Sequence, residues 1–103
     1  TLNALQAGAT HVTSVDSSAL AISTLKDNIK LNAFDASRNT AVQSDVNKYL
    51  RQLGEEGQKF DVIVLDPPKY APSRSTLEKA SRAYKDLNRR GLLLLESGGL
   101  LAT

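Results

Sequence analysis

Residues 60–66 read Phe-Asp-Val-Ile-Val-Leu-Asp and are followed directly by Pro67-Pro68-Lys69-Tyr70. The apolar run within them is rich in β-branched side chains, which favours a strand. Because the run does not alternate with polar residues, it is typical of a parallel strand buried on both faces. This stretch therefore predicts a covered parallel sheet.

Three weaker segments also have the composition of strands. Residues 11–16 are rich in β-branched side chains and end on Asp16, residues 40–44 are a weaker candidate, and residues 99–103 begin a fourth strand. Segments with helical spacing separate them. Strand and helix alternating in this way predict parallel strands joined by crossover helices, a doubly wound α/β sheet.

The predicted helices have recognisable ends. Ser17 or Ser18 can cap a helix that carries apolar residues on one face, namely Ile22, Leu25 and Ile29. A shorter helix is predicted over residues 45–53, closed by Gly54 and the polar turn Glu55-Glu56-Gly57. In the last helix Ser75 and Glu78 form a capping-box pattern, and an apolar stripe continues to Leu94.

Composition excludes several kinds of protein. The 103 residues, 41% of them hydrophobic, suffice for at most one domain, and a net charge of +2 excludes a strongly basic nucleic-acid arm. With no cysteine, the chain has no disulfide framework, no cysteine-ligated metal and no cysteine nucleophile of its own. No apolar run could span a membrane and no leader is visible, so we expect a soluble, cytoplasmic protein without a metal.

Acidic residues stand at the predicted carboxyl ends of three strands, where ligands bind in open parallel sheets. They are Asp16, Asp45 and Asp66. A carboxylate at Asp16 can accept hydrogen bonds from the hydroxyls of an adenosine ribose, or it can merely help to cap the next helix. Three such acids together favour a nucleotide-type site.

A glycine-rich loop should precede such an acid by about 20 residues. That position falls before Thr1, and residues 1–7, ending near Gly8, have the pattern of the helix that follows such a loop. We therefore expect the chain to be a fragment of a longer protein.

The stretch that follows Asp66 is the sharpest local signal. Pro67 and Pro68 fix the backbone and remove two N–H groups, so the chain leaves the strand in a stiff, extended conformation with free carbonyls. With the ring of Tyr70 nearby, this arrangement suits a planar, hydrogen-bonding group such as a nucleobase. The simpler alternative is a strand that ends at proline.

Basic residues cluster between positions 69 and 90: Lys69, Arg74, Lys79, Arg82, Lys85, Arg89 and Arg90. A basic helix face opposite an apolar stripe is typical of an ordinary solvated surface, and it also suits contact with RNA phosphates. Lys69 and Arg74 are the stronger candidates for RNA contact because they flank the loop.

Several motifs together resemble a known family. They are Ala7-Gly8-Ala9, His11-Val12-Thr13-Ser14-Val15-Asp16-Ser17-Ser18, Ser44-Asp45-Val46, residues 59–70, Tyr84-Lys85-Asp86-Leu87-Asn88, and Gly98-Gly99-Leu100-Leu101. The chain resembles class I S-adenosylmethionine-dependent methyltransferases, and more narrowly the bacterial large-subunit (23S) ribosomal RNA cytosine-C5 methyltransferases.

The resemblance implies a Rossmann-like sheet of which residues 1–103 form the central part of a single domain. The first strand with its glycine loop and the final strands would lie outside the chain. In that fold the first strand is central, pairing with the strand that ends at Asp16 on one side and the strand that ends at Asp66 on the other. Without it we expect two separate pairs of strands.

The resemblance also implies residue roles. S-adenosylmethionine would contact Asp16, Ser17, Asp45, Val46 and Asp66. Asp66 and Pro67 would be catalytic, lying between the methyl donor and the base. Pro68, Lys69, Tyr70 and Arg74 would bind the ribosomal RNA substrate. Methylation at cytosine C5 needs a nucleophile that adds at C6, and the family's cysteine for that step is not in this chain.

Three alternatives stay open on the sequence. A nicotinamide-dependent oxidoreductase would also place an acid such as Asp16 on a ribose, but it leaves the Asp-Pro-Pro-Lys-Tyr stretch unexplained. A methyltransferase acting on an exocyclic base nitrogen would use Asp66 and a proline carbonyl as acceptors. A non-catalytic RNA-binding module could keep the sheet and the basic residues without the cofactor site.

Overall fold

The computed structural model describes residues 1–66 and 74–103, including the side chains of residue 79 and residues 81–103 in the second range. The chain divides into two units, Thr1–Tyr49 and Leu50–Thr103. Among the described residues, no helix combines the length and apolar character needed to cross a bilayer.

The first unit alternates helix and strand. Its elements are α1 (Leu2–Gln6), β1 (Val12–Asp16), α2 (Ala19–Leu31), a short 3₁₀ turn (Ala36–Arg38), β2 (Asn39–Gln43) and the start of α3 (Val46–Glu55). The two strands are parallel, in register from Val12 opposite Asn39 to Asp16 opposite Gln43. The strands predicted over 11–16 and 40–44 are thereby confirmed to within a residue at each end.

Local signals explain how α2 begins and what it buries. Ser18 is its N-cap, with the Ser18 hydroxyl accepting a hydrogen bond from the Ala21 N–H at 3.2 Å. Ile22 and Ile29 are buried from the predicted face, together with Leu5 of α1. Helix α2 packs against both β1 and β2.

The second unit contains the remainder of α3, then β3 (Phe60–Val64), α4 (Arg74–Leu93) and β4 (Leu95–Ala102). β3 and β4 are parallel, with Val62 opposite Leu100 and Val64 opposite Ala102. The register is irregular between Phe60 and Val62, where β4 carries extra residues around Gly98 at φ +81°. The fourth strand thus begins at Leu95, earlier than predicted, because it pairs on both sides of this bulge.

The strands form two separate two-stranded sheets, β1 with β2 and β3 with β4. This pairing is the one that the family resemblance implies. The core of the second unit comprises Leu50, Leu53, Leu65, Leu87 and Leu94.

The prediction that β3 is buried on both faces is wrong for the described structure. Val62 is 58% exposed and Val64 is 70% exposed, whereas Leu65, just after the strand, is buried. The covered side is the one against α4, where Gly91 lets the helix approach Leu65 and Leu101 closely. The apolar run therefore reflects one covered face and one apolar face that is open among the described residues.

Three predicted helix boundaries are also wrong. α3 continues past the predicted end at Leu53, through Gly54 to Glu55, and the backbone reverses at Gly57, at φ +71°, within the predicted turn. α4 begins at Arg74, so Ser75 lies inside its first turn and not at the cap. Leu94 follows the end of α4, where its side chain is buried.

Candidate functional site

The carboxyl ends of β1 and β2 lie side by side. Asp16, the last residue of β1, is opposite Gln43, and the Ser44 N–H donates a hydrogen bond to the Asp16 carbonyl oxygen at 3.0 Å. Asp45 follows immediately and begins the turn into α3. Two of the three predicted strand-end acids, Asp16 and Asp45, are thereby brought to one edge of the sheet.

The Asp16 carboxylate holds the turn that leads into α2. Its Oδ1 accepts a hydrogen bond from the Ser18 N–H at 2.8 Å, and Ser18 in turn caps the helix. The side chain is exposed, and Oδ2 accepts no hydrogen bond from any described residue. Asp16 therefore has a structural role through one oxygen and keeps the other available for a ligand.

Asp45 is arranged in the same way at the start of α3. Its Oδ1 accepts a hydrogen bond from the Lys48 N–H at 3.0 Å, the pattern of a helix N-cap. The carboxylate is exposed, while Val46, the first residue of the helix, is half-buried. Because a helix leaves its first N–H groups without intrahelical partners, the N–H of Val46 is a donor next to this carboxylate.

These groups define the chemistry of the edge. Two exposed carboxylates accept hydrogen bonds from hydroxyl and amino groups, and the exposed hydroxyl of Ser17 can donate or accept. Within the described ranges no group of three His, Cys, Asp or Glu side chains could hold a metal ion. The edge thus suits a neutral or cationic ligand that carries hydroxyl and amino donors.

The other predicted site residues fall in or beside the second unit. Asp66 is exposed, just past Leu65, whose N–H donates a hydrogen bond to the Ala102 carbonyl oxygen at 2.8 Å. The backbone of Arg74 begins α4, but its side chain is outside the described part of the chain. Also outside the described residues are Pro67, Pro68, Lys69 and Tyr70.

Arg38 is a positioning residue that the sequence pattern did not indicate. Its half-buried guanidinium donates hydrogen bonds from Nη2 to the carbonyl oxygens of Leu5 at 3.0 Å and Ala9 at 2.5 Å. It thereby ties the end of α1 and the loop before β1 to the turn before β2. No local signal marks this contact because its partners lie about 30 residues earlier in the sequence.

The turn that carries Arg38 is itself held by Asp35. The Ser37 N–H and hydroxyl donate hydrogen bonds to Asp35 Oδ1 at 2.9 and 2.8 Å. These bonds, that of the N–H above all, hold the pKa of the Asp35 carboxyl below its usual value. Near the start of β1 and β2, the exposed His11 Nε2 and the Thr40 hydroxyl share a hydrogen bond of 2.8 Å.

Comparison with known proteins gives close relatives. The ribosomal RNA large subunit methyltransferase I of Shewanella denitrificans is 49% identical over 102 residues, and that of Enterobacter sp. is 45% identical over 102 residues. Each match covers 99% of this chain and 26% of the relative. The chain thus spans about a quarter of the length of these curated relatives.

Solved structures show the same fold. SMU.776, a proposed methyltransferase complexed with SAH, superimposes with a TM-score of 0.83 at 28% identity, covering 95% of this chain and 26% of that one. A proposed SAM-dependent methyltransferase from Streptococcus mutans gives a TM-score of 0.80 at 27% identity, covering 95% of this chain and 25% of that one. The expected fold class is confirmed: the parallel strand pairs and their helices are part of a Rossmann-like α/β fold.

A family model described as Conserved hypothetical protein 95 matches residues 1–99, which includes both strand-end acids of the first unit and Asp66 of the second. This match covers nearly the whole chain, and the chain therefore belongs to the Conserved hypothetical protein 95 family.

Proposed function

We propose that residues 1–103 are the central part of a single methyltransferase domain in a longer cytoplasmic protein. That protein transfers a methyl group from S-adenosylmethionine to a base of ribosomal RNA. The observation that carries the proposal is the pair of exposed carboxylates, Asp16 and Asp45, on adjoining strand ends in a chain 49% identical to a ribosomal RNA methyltransferase.

The strand-end residues fit the adenosine part of such a cofactor. Asp16 offers Oδ2 to the ribose hydroxyls, with the Ser17 hydroxyl beside it. Asp45 can accept a hydrogen bond from the adenine amino group, and the Val46 N–H can donate to a ring nitrogen. When bound, the cofactor supplies an electrophilic methyl group. SAH in the neighbouring structure SMU.776 supports this choice of ligand.

We further propose that the target is C5 of a cytosine. Asp66 and Pro67 would lie between the methyl donor and the base, and the base and its flanking phosphates would contact Pro68, Lys69, Tyr70 and Arg74. C5 chemistry requires a nucleophile at C6. Because the 103 residues contain no cysteine, a cysteine nucleophile would have to come from another part of the protein.

The experiment is methyl transfer by the full-length protein from radiolabelled S-adenosylmethionine to large-subunit ribosomal RNA transcripts. Digestion to nucleosides and mass spectrometry then identify the product. 5-Methylcytidine supports the whole proposal, whereas a product methylated on an exocyclic nitrogen would leave the methyltransferase intact and refute C5. RNA binding without binding of S-adenosylmethionine would instead indicate the non-catalytic module, and binding of a nicotinamide dinucleotide in its place would indicate an oxidoreductase.

A further inference from the structure

Helix α4 has two different sides. One side packs on the sheet of the second unit: Leu87 is buried, and a Cβ added at Gly91 would lie 3.1 Å from Leu65 Cδ1 and 3.3 Å from Leu101 Cδ1. This close contact fixes which side of the helix is turned away from the sheet.

The side away from the sheet carries an exposed row of basic residues: Lys79, Arg82, Lys85 and Arg89. Successive residues are turned by about 100° around the helix axis, so the mean direction of these four positions is roughly opposite that of Leu87 and Gly91. With a rise of about 1.5 Å per residue, the row from Lys79 to Arg89 extends over about 15 Å. The α4 basic face, as we call these four residues, is therefore a continuous strip rather than scattered charge.

Very little negative charge offsets this strip. Asp86 is the acid between residues 79 and 93, and it already pairs with Arg89 and Arg90, each at 3.1 Å. Among the described side chains, Lys79, Arg82 and Lys85 make no ion pair. Three cationic side chains on one face thus have no acidic partner among the described side chains.

We propose that the α4 basic face binds the phosphate backbone of the RNA substrate. This inference rests on the proposed function, because it takes the same RNA as ligand. A row of like charges with no aromatic or large apolar side chain among its members suits a regularly charged polymer better than a folded protein surface.

The test compares two double variants of the full-length protein that remove the same charge by the same substitution. Lys79→Gln/Lys85→Gln changes the basic face, and Lys26→Gln/Lys30→Gln changes two exposed lysines of α2 as a control. Gln and Lys have similar helix propensity, so both variants should fold. Affinity for a fluorescently labelled single-stranded RNA oligonucleotide of arbitrary sequence is measured by anisotropy over a series of KCl concentrations.

Each phosphate contact contributes about 0.7 to the steepness of the plot of log affinity against log salt concentration. The α4 variant removes two lysines, so we expect its plot to be less steep than that of the wild type by about 1.4. At about 0.1 M KCl this corresponds to roughly 25-fold weaker binding. The α2 control should match the wild type, Lys79→Arg/Lys85→Arg should restore the slope, and affinity for S-adenosylmethionine should not change in any of them.

An unchanged slope in the α4 variant, with methyl transfer to RNA intact in the wild type, would overturn the α4 surface and leave the proposed function standing. An equal loss in the α2 control would also overturn it, because the effect would then follow net charge alone. If the wild type binds S-adenosylmethionine but no RNA at any salt concentration, the RNA substrate and the α4 surface both fail. Capture of a protein partner that Lys79→Gln/Lys85→Gln abolishes, without RNA binding, would have the same meaning.

Discussion

The Ser44 N–H donates a hydrogen bond to the Asp16 carbonyl oxygen at 3.0 Å, just beyond the last paired residues of β1 and β2. This bond extends the hydrogen-bonding pattern between β1 and β2 by one residue and holds the two strand ends together. Asp45, next to Ser44, is therefore kept beside Asp16 by the backbone. The backbone pairing of β1 and β2 thus places both residues, and no direct interaction between the two carboxylates is needed.

Asp16→Asn should separate ligand binding from helix capping. The amide oxygen of asparagine can still accept the hydrogen bond from the Ser18 N–H. Its NH₂ group, however, cannot accept a hydrogen bond from a ribose hydroxyl, as Asp16 Oδ2 can. We expect the thermal midpoint of the full-length protein to stay close to that of the wild type. Affinity for S-adenosylmethionine, measured by calorimetry, should fall about 10- to 100-fold, since each charge-assisted hydrogen bond is worth about 1.5 kcal/mol.

The control for this change is Asp27→Asn, at an exposed acid of α2 away from the strand ends. It should leave the affinity unchanged. Wild-type affinity in a folded Asp16→Asn protein would contradict the cofactor role of Asp16.

Tyr70→Ala should impair methylation of RNA far more than binding of the cofactor. Stacking of a base on an aromatic ring is worth about 1–3 kcal/mol, so the RNA-dependent kcat/KM should fall roughly 10- to 100-fold. Tyr70→Phe, which keeps the ring, should restore most of it. Equal losses in RNA methylation and in cofactor affinity would show that Tyr70 is not a platform for the base.

Two glycine-to-alanine changes in the second unit should have opposite effects on stability. A Cβ at Gly99 would lie 2.9 Å from the carbonyl oxygens of Asp61 and Glu96, both backbone atoms that cannot move away cheaply, so Gly99→Ala should cost about 1–3 kcal/mol. Gly54 lies inside α3 with nothing within 4 Å of such a Cβ, so Gly54→Ala should stabilise by up to about 1 kcal/mol. Chemical denaturation of the full-length protein measures both, and a stabilised Gly99→Ala would contradict the bulge geometry of β4.

The ion pairs of Asp86 should make stability depend on pH in a defined direction. Hydrogen bonds from Arg89 and then Arg90 lower the pKa of the Asp86 carboxyl in the folded protein. Its contribution is therefore present above the unfolded-state pKa and is lost as pH falls through the folded-state pKa. We expect the wild type to have a higher thermal midpoint than Asp86→Asn at neutral pH, with the difference disappearing in acid.

Asp61→Asn is the matched control, because Asp61 is exposed and makes no ion pair with any described residue. Its midpoint should track that of the wild type across the pH series. A difference for Asp86→Asn that persists at acid pH would mean that the carboxylate charge is not the cause.

Residues 1–103 expressed alone should associate. Val62, Val64 and Leu100 are 58%, 70% and 63% exposed and belong to the paired strands β3 and β4, so the isolated chain presents an apolar sheet face to water. The open edges of the two-stranded sheets add unpaired backbone groups. Size-exclusion chromatography should show species larger than a monomer, and Val62→Thr/Val64→Thr should shift them toward the monomer. A clean monomer with a cooperative thermal transition would contradict this expectation.

Local sequence determined the elements and the candidate site residues of this protein. The β-branched run at residues 62–64 specifies a strand, Ser18 specifies the start of α2, and the acids at positions 16 and 45 come where a strand gives way to a helix. Each of these signals acts through neighbours a few residues away, so the pattern is visible without the fold.

Tertiary structure decided what depends on distant partners. The guanidinium of Arg38 donates hydrogen bonds to carbonyl oxygens about 30 residues earlier in the chain. β4 begins at Leu95 because it pairs with β3 on both sides of a bulge. Leu94 is buried although it lies just past the end of α4. The open face of Val62 and Val64 likewise depends on which elements cover β3 and not on the composition of the strand. Apolar periodicity reports what a segment can bury, whereas packing determines which of its faces is covered.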